Sequence, residues 1–127
     1  MRWALAGLFV LHGVAHLVGF VAPWQLAQLD EVPYRTTVLG GTIDLGDSGI
    51  RVVGVLWLLL ALAFVAAAIG LLADRAWWRA LALSVSTLSI ALCALQWPES
   101  RVGVIVNAGI LGVLLLDGWL SWLPVAA

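Results

Sequence analysis

Apolar residues fall along this chain in long, nearly unbroken runs, with neither the period of two of a half-buried strand nor the narrow stripe of a soluble amphipathic helix. Four runs stand out: Trp3 to about Ala22, about Arg51 to Ala73, Trp77 to about Leu95, and about Arg101 to Leu123. A hydrocarbon core of about 30 Å takes about 20 apolar residues to cross as a helix. The pattern therefore predicts four transmembrane helices, at 3–22, 51–73, 77–95 and 101–123, in an all-α membrane protein with one domain over 1–127. Pro23 ends the first run and Pro124 follows the fourth. Asp74-Arg75-Ala76 and Gln96-Trp97-Pro98-Glu99-Ser100 are connections so short that the helices they join must run antiparallel. The expected architecture is a four-transmembrane-helix antiparallel bundle. The first run is long for a signal peptide, and Pro23 directly after Ala22 is a poor cleavage context, so it reads as a retained span.

Residues 23–50 form the one sizeable polar segment. Thr36-Thr37-Val38-Leu39 and Thr42-Ile43-Asp44-Leu45 flank Gly40-Gly41, the pattern of a short β-hairpin with a primed turn, set against the alternative of an irregular loop. Gln25 to Glu31, before Pro33, suggests a short interfacial helix. Tryptophans gather near the ends of the runs, as amphipathic rings do at a membrane surface. Trp3, Trp77, Trp78, Trp119 and Trp122 fall at the terminal level and Trp24 and Trp97 at the other, with Trp57 alone inside a span.

Composition narrows the class further. The chain is 64% hydrophobic and 10% charged, with a mean hydropathy of +1.11, beyond what one small soluble core can hide. Six arginines, no lysine and a net charge of −1 supply no basic face for nucleic acid. A lone cysteine, Cys93, closes no internal disulfide. Arg2, Arg75 and Arg79 lie on the terminal side and Arg35, Arg51 and Arg101 on the loop side, a tie under the positive-inside rule. The amino terminus and the helix-hugging arginines tip the expectation toward both termini in the cytoplasm of a multi-pass cell-membrane protein. Ala15 with Gly19, Ala66 with Gly70, and Ala108 with Gly112 are small-residue pairs that would let helices approach closely.

Few residues carry chemistry. His12 and His16 share one helix face. Ionisable groups inside a membrane are costly and turn inward. His16, Trp57, Ser89 and Asn107 each lie about six residues, ~9 Å, from the loop-side boundary of their helix. Ser86, Ser89, Cys93 and Gln96 extend this as a stripe on the third helix. If these faces converge they form a polar pocket in the loop-side half of the bundle, with His12 as floor and the hairpin as roof; the alternative is plain hydrogen-bonded packing between helices. His12 and His16 could instead share a metal ion, with Cys93, Asp44, Asp47 or Glu99 as the remaining donors, though none has a diagnostic spacing. Asp117, near the terminal boundary, calls for Arg2, Arg75, Arg79 or water.

Three patches carry a family resemblance: Leu11-His12-Gly13-Val14-Ala15-His16-Leu17-Val18-Gly19-Phe20, Gly54-Val55-Leu56-Trp57-Leu58, and Gln96 through Asn107. In these the chain resembles a family of small, uncharacterised bacterial four-helix membrane proteins, some of which carry the label permease. The resemblance implies a fold and no activity. Four functions are open to such a chain. The first is non-enzymatic binding of a lipid, quinone or other lipophilic or amphipathic molecule by His12, His16, Trp57, Ser86, Ser89, Cys93 and Asn107. The others are an accessory subunit of a larger membrane complex, a small transporter working as a homodimer, and a metal-binding redox protein built on His12 and His16. No cofactor is specified by any motif.

Overall fold

A computed structural model of the chain describes residues 1–121 and 123; Trp122 and Pro124, invoked above as boundary residues, lie outside the described residues. The elements in order are α1 (Arg2–His16), α2 (Val18–Val21), β1 (Thr37–Val38), β2 (Ile43–Asp44), α3 (Gly46–Leu72), α4 (Trp78–Leu95) and α5 (Arg101–Leu120). Leu17 keeps right-handed helical dihedrals between α1 and α2, so Arg2–Val21 acts as one rod. Four helices are thus long and apolar enough to cross a membrane: Arg2–Val21, Gly46–Leu72, Trp78–Leu95 and Arg101–Leu120.

The helix ends follow local chemistry. α3 starts at Gly46, ahead of the expected Arg51, because the Asp44 carboxylate accepts the Gly46 N–H at 2.9 Å and Asp47 sits in the first turn, where the helix dipole favours an acid. The α3–α4 turn is a Schellman motif, with Arg75 N–H donating to Gly70 O and Asp74 N–H to Leu71 O. Its left-handed residue is Asp74, φ 51°, where glycine is usual. The carboxylate there accepts from Arg2 Nη1 at 3.0 Å, tying the start of α1 to the start of α4. A similar turn, with left-handed Gln25 and Leu26 N–H donating to Val21 O, closes the first rod. The chain then runs through turns and bends, and the helix expected over Gln25–Glu31 does not form.

The hairpin is present. β1 and β2 pair antiparallel, Thr37 with Asp44 and Val38 with Ile43, and Thr42 N–H closes the turn on Leu39 O. Gly40 and Gly41 have φ of +63° and +88°, the pair of positive values that a type I′ turn requires. Leu39 N–H donates to Leu95 O at 2.8 Å and Gly40 N–H to Trp97 O at 2.9 Å, so the tip is clasped to the end of α4 by main-chain bonds.

α1 and α2 pack on α3, α3 on α4, and α4 on α5, while α1 and α5 share no comparable packing. The core runs through Phe9, Phe64, Leu71, Val85, Ile110 and Leu114. Glycines set the closest approaches: a Cβ on Gly13 would lie 2.9 Å from Ala61 O, on Gly19 2.4 Å from the Trp57 ring, on Gly70 2.7 Å from Trp77, and on Gly103 2.6 Å from Cys93 Sγ. Gly19 and Gly70 were visible as seams in the sequence. Ala108 and Gly112 are not a seam: Ala108 is exposed and Gly112 faces open space, because the buried face of α5 runs through Asn107, Ile110 and Leu114.

Replacing Gly19 by alanine drives a methyl group into a ring held on all sides, and should destabilise the protein by about 1–3 kcal/mol. Gly112→Ala meets nothing within 4 Å and should be neutral or stabilising by up to about 1 kcal/mol. Thermal unfolding of the two purified variants checks the contrast.

Candidate functional site

Where α1 and α5 stand apart, a cavity of about 360 Å3 opens beneath the hairpin. Its floor and walls come from His12, Ala15, His16 and Gly19 of the first rod, Trp57 of α3, Cys93 of α4, and Gly103 and Val106 of α5. Thr37, Val38, Gly40 and Gly41 of the hairpin cover it. Arg35 and Glu99 stand at the rim, joined by an ion pair of 3.0 Å whose two members are about half exposed. Such an exposed pair contributes little to stability, but it links the hairpin segment to the α4–α5 connection.

Behind the wall lies a chain of buried polar groups. His16 Nδ1 stands 2.8 Å from His12 O, and His16 Nε2 2.6 Å from Ser89 Oγ. A carbonyl only accepts, so Nδ1 carries the proton, and Nε2 of the neutral ring accepts from the Ser89 hydroxyl. Asn107 Nδ2 donates to Ser89 Oγ at 2.8 Å and to Gly103 O at 2.7 Å. The chain thus runs in one sense, Asn107 to Ser89 to His16 to the α1 backbone, and joins α5, α4 and α1. Ser89 and Asn107 are fully buried and His16 is 4% exposed.

An aromatic cluster orients the imidazoles. The His12 and His16 rings meet edge to face at 4.4 Å, His16 meets Trp57 at 4.9 Å, and both histidines meet Phe64, at 4.8 and 5.2 Å. Trp57 Nε1 donates to Gln96 Oε1 at 2.8 Å, which fixes the indole against Gly19.

Of the residues singled out in the sequence, His12, His16, Trp57 and Cys93 line the cavity. Ser86, Ser89 and Asn107 lie behind it, fully buried. Depth placed them at the right level, but only the turn of each helix decides which face looks inward. Gln96 lines the cavity too, as the last member of the α4 stripe, and Gly103, Arg35 and Glu99 join the lining with no sequence signal that marks them for it. Both His16 ring nitrogens are committed, so the two histidines do not present a pair of free donors to one ion. Among the described residues no three His, Cys, Asp or Glu stand together as a metal-binding group.

Asp117 finds Arg79. Arg79 Nη1 lies 2.7 Å from Asp117 Oδ2, and Leu123 N–H donates to Oδ1 at 2.6 Å. Arg79 also donates to Leu114 O, and Arg2 is engaged elsewhere with Asp74. On the loop side, the hydrogen bond from the Tyr34 hydroxyl to the Asp47 carboxylate holds the phenol above its usual range. The Gly46 N–H holds Asp44 below the usual carboxylate range.

No protein-family model, curated protein or solved structure matches the chain.

Two outcomes follow from these contacts. Ser89→Ala removes the donor to His16 and the acceptor of Asn107 together and should cost about 1–3 kcal/mol in thermal unfolding. Thr87→Ala, exposed on the same helix, should stay within about 0.5 kcal/mol. Tyr34 is the single tyrosine, so its ultraviolet titration is isolated. Its midpoint should lie above the free phenol value of about 10 and fall when Asp47→Asn removes the charged acceptor.

Proposed function

We propose that this is a multi-pass integral membrane protein, an antiparallel four-helix bundle that binds a lipophilic or amphipathic small molecule in the cavity beneath the hairpin. The outer faces support insertion: Leu11, Leu59, Ile69, Leu88, Ile105 and Leu115 are all exposed, a surface suited to acyl chains and not to water. In this reading both termini lie in the cytoplasm and the hairpin on the opposite side. The chain then sits with the small bacterial four-helix membrane proteins that its His12–His16, Trp57 and Gln96–Asn107 patches resemble.

One observation carries the functional reading. The cavity is roofed, mostly apolar in its walls, and ends on a buried histidine whose Nε2 has no hydrogen-bond partner among the described residues. Ligand sites combine these properties: an apolar enclosure with a few placed polar groups. Packing between helices accounts for His16, Ser89 and the Asn107 Nδ2 group, which are hydrogen-bonded, but it leaves His12 Nε2 without a partner, as it does Asn107 Oδ1. Binding requires no catalytic group, and the reading is non-enzymatic.

Native mass spectrometry of protein released from its host membrane in mild detergent tests the reading. A stoichiometric small molecule should accompany the wild type and be lost from the His16→Ala, Asn107→Ala double variant, whose cavity wall is no longer held. Wild-type protein that carries no ligand, and takes up none from a total lipid extract, would remove the basis for a binding function.

A further inference from the structure

The cavity follows the helices lengthwise. His12, His16, Gly19 and Ala22 line it along the first rod at spacings of four, three and three, which is one helix face. At ~1.5 Å per residue that face is about 15 Å long, half of a hydrocarbon core of about 30 Å. Val102, Gly103 and Val106 line the opposite side along α5, below Ser100 at its start. The space therefore runs from the level of the helix ends to about the middle of the first rod. That is the depth and the direction of the acyl chains of one leaflet.

Its sides are not equally closed. Trp57 of α3 and Cys93 of α4 form the back and are both buried. The hairpin is fastened across the top through Leu39 and Gly40. The front is the gap between α1 and α5, which share no packing comparable with the other helix pairs. Its lips carry lining residues that also reach the outer surface: Ala15 and Val18 of the first rod and Val102 of α5, with Val18 40% and Val102 64% exposed. These lips are wholly apolar, and the charged members of the lining, Arg35 and Glu99, stand only at the rim. An entrance of that composition suits hydrocarbon and not water.

Lipid tails are as apolar as these walls, so the hydrophobic effect gives a chain little reason to leave the bilayer for the cavity. Contact does: walls around an unfilled space of about 360 Å3 lack partner atoms on one side, and a chain supplies them. Water needs polar partners and finds none along Ala15, Val102, Gly103 and Val106 side chains. Given the membrane insertion and the binding function proposed above, on which this rests, we infer that a bilayer lipid of the loop-side leaflet inserts one acyl chain sideways between α1 and α5 into the cavity. Its headgroup stays at the rim, level with Arg35, Glu99 and Ser100.

Photolabelling of the full-length protein in phosphatidylcholine vesicles tests this, with adducts mapped to residues by mass spectrometry. Three probes are compared: phosphatidylcholine with a diazirine midway along one chain, the free fatty acid bearing the same chain, and a small phenyl diazirine. Leu59, exposed on the outer face of α3, reports contact with the surrounding bilayer. The phospholipid should label Leu59 and also Trp57 and Cys93, which a chain lying on the outer surface cannot touch. The Ala15→Phe, Val102→Phe double variant fills the gap from both lips; it should lose the Trp57 and Cys93 adducts and keep those at Leu59. Labelling of Trp57 and Cys93 by the fatty acid or the phenyl diazirine, with the phospholipid confined to outer faces, overturns the lipid assignment and leaves a binding cavity standing. Phospholipid adducts at Trp57 and Cys93 that persist in the double variant overturn the sideways entrance. No adduct at either residue from any of the three probes overturns the cavity reading as well. The comparison of probes on the wild type stands whether or not the variant folds.

Discussion

A hydrogen-bonding group shut away from water has to be met by another, and here that requirement spans three helices. The His16 imidazole, the Ser89 hydroxyl and the Asn107 amide form one directed chain from α5 through α4 to the backbone of α1. α1 and α5 do not otherwise pack on each other to any extent comparable with the remaining helix pairs. They are held at a set distance by side chains, and the space left between them on the loop side is the cavity. Had α1 and α5 met directly through small residues, as α1 meets α3 at Gly13, there would be a seam in place of a site.

The shape of that space depends on close approaches elsewhere. Gly19 lets the first rod come down onto the face of Trp57, and Gln96 holds the indole from the other side. Gly103 does the same for α5 against Cys93, and its carbonyl, one turn before Asn107, accepts from the Asn107 side chain. Glycine at these positions therefore does two things: it removes a side chain that would clash, and it brings polar groups within reach of one another. The terminal half of the molecule is held differently, by Arg79 with the buried Asp117 and by Arg2 with Asp74.

Much of this architecture is legible in the sequence, because the length of an apolar run and the pairing of two glycines are local signals. The four long helices, the hairpin over Thr36–Leu45 with Gly40 and Gly41 at its turn, and the common level of His16, Trp57, Ser89 and Asn107 can all be read in this way. The rotation of each helix is a tertiary property, and there the reading stops. It could not separate Cys93, which faces the cavity, from Ser89, which lies behind it. Nor could it choose Arg79 among three arginines for Asp117, since all three lie at one level. The small-residue pair at Ala108 and Gly112 misled for the same reason: spacing identifies a face, but not what the face meets. The early start of α3 was legible in principle, from an aspartate two residues ahead of Gly46, and was masked by the charge of Arg51.

The clasp on the hairpin is made of main-chain atoms on both sides: two amide hydrogens from Leu39 and Gly40, and two carbonyls from Leu95 and Trp97. The clasp therefore asks for amide hydrogens at the tip and for no particular side chain. The backbone asks for more: φ is +51° at Leu39, +63° at Gly40 and +88° at Gly41, values that suit glycine and bar proline, which also brings no amide hydrogen. The same conformation that fastens the ceiling thus keeps its inner surface bare, and leaves that surface little latitude to vary by substitution.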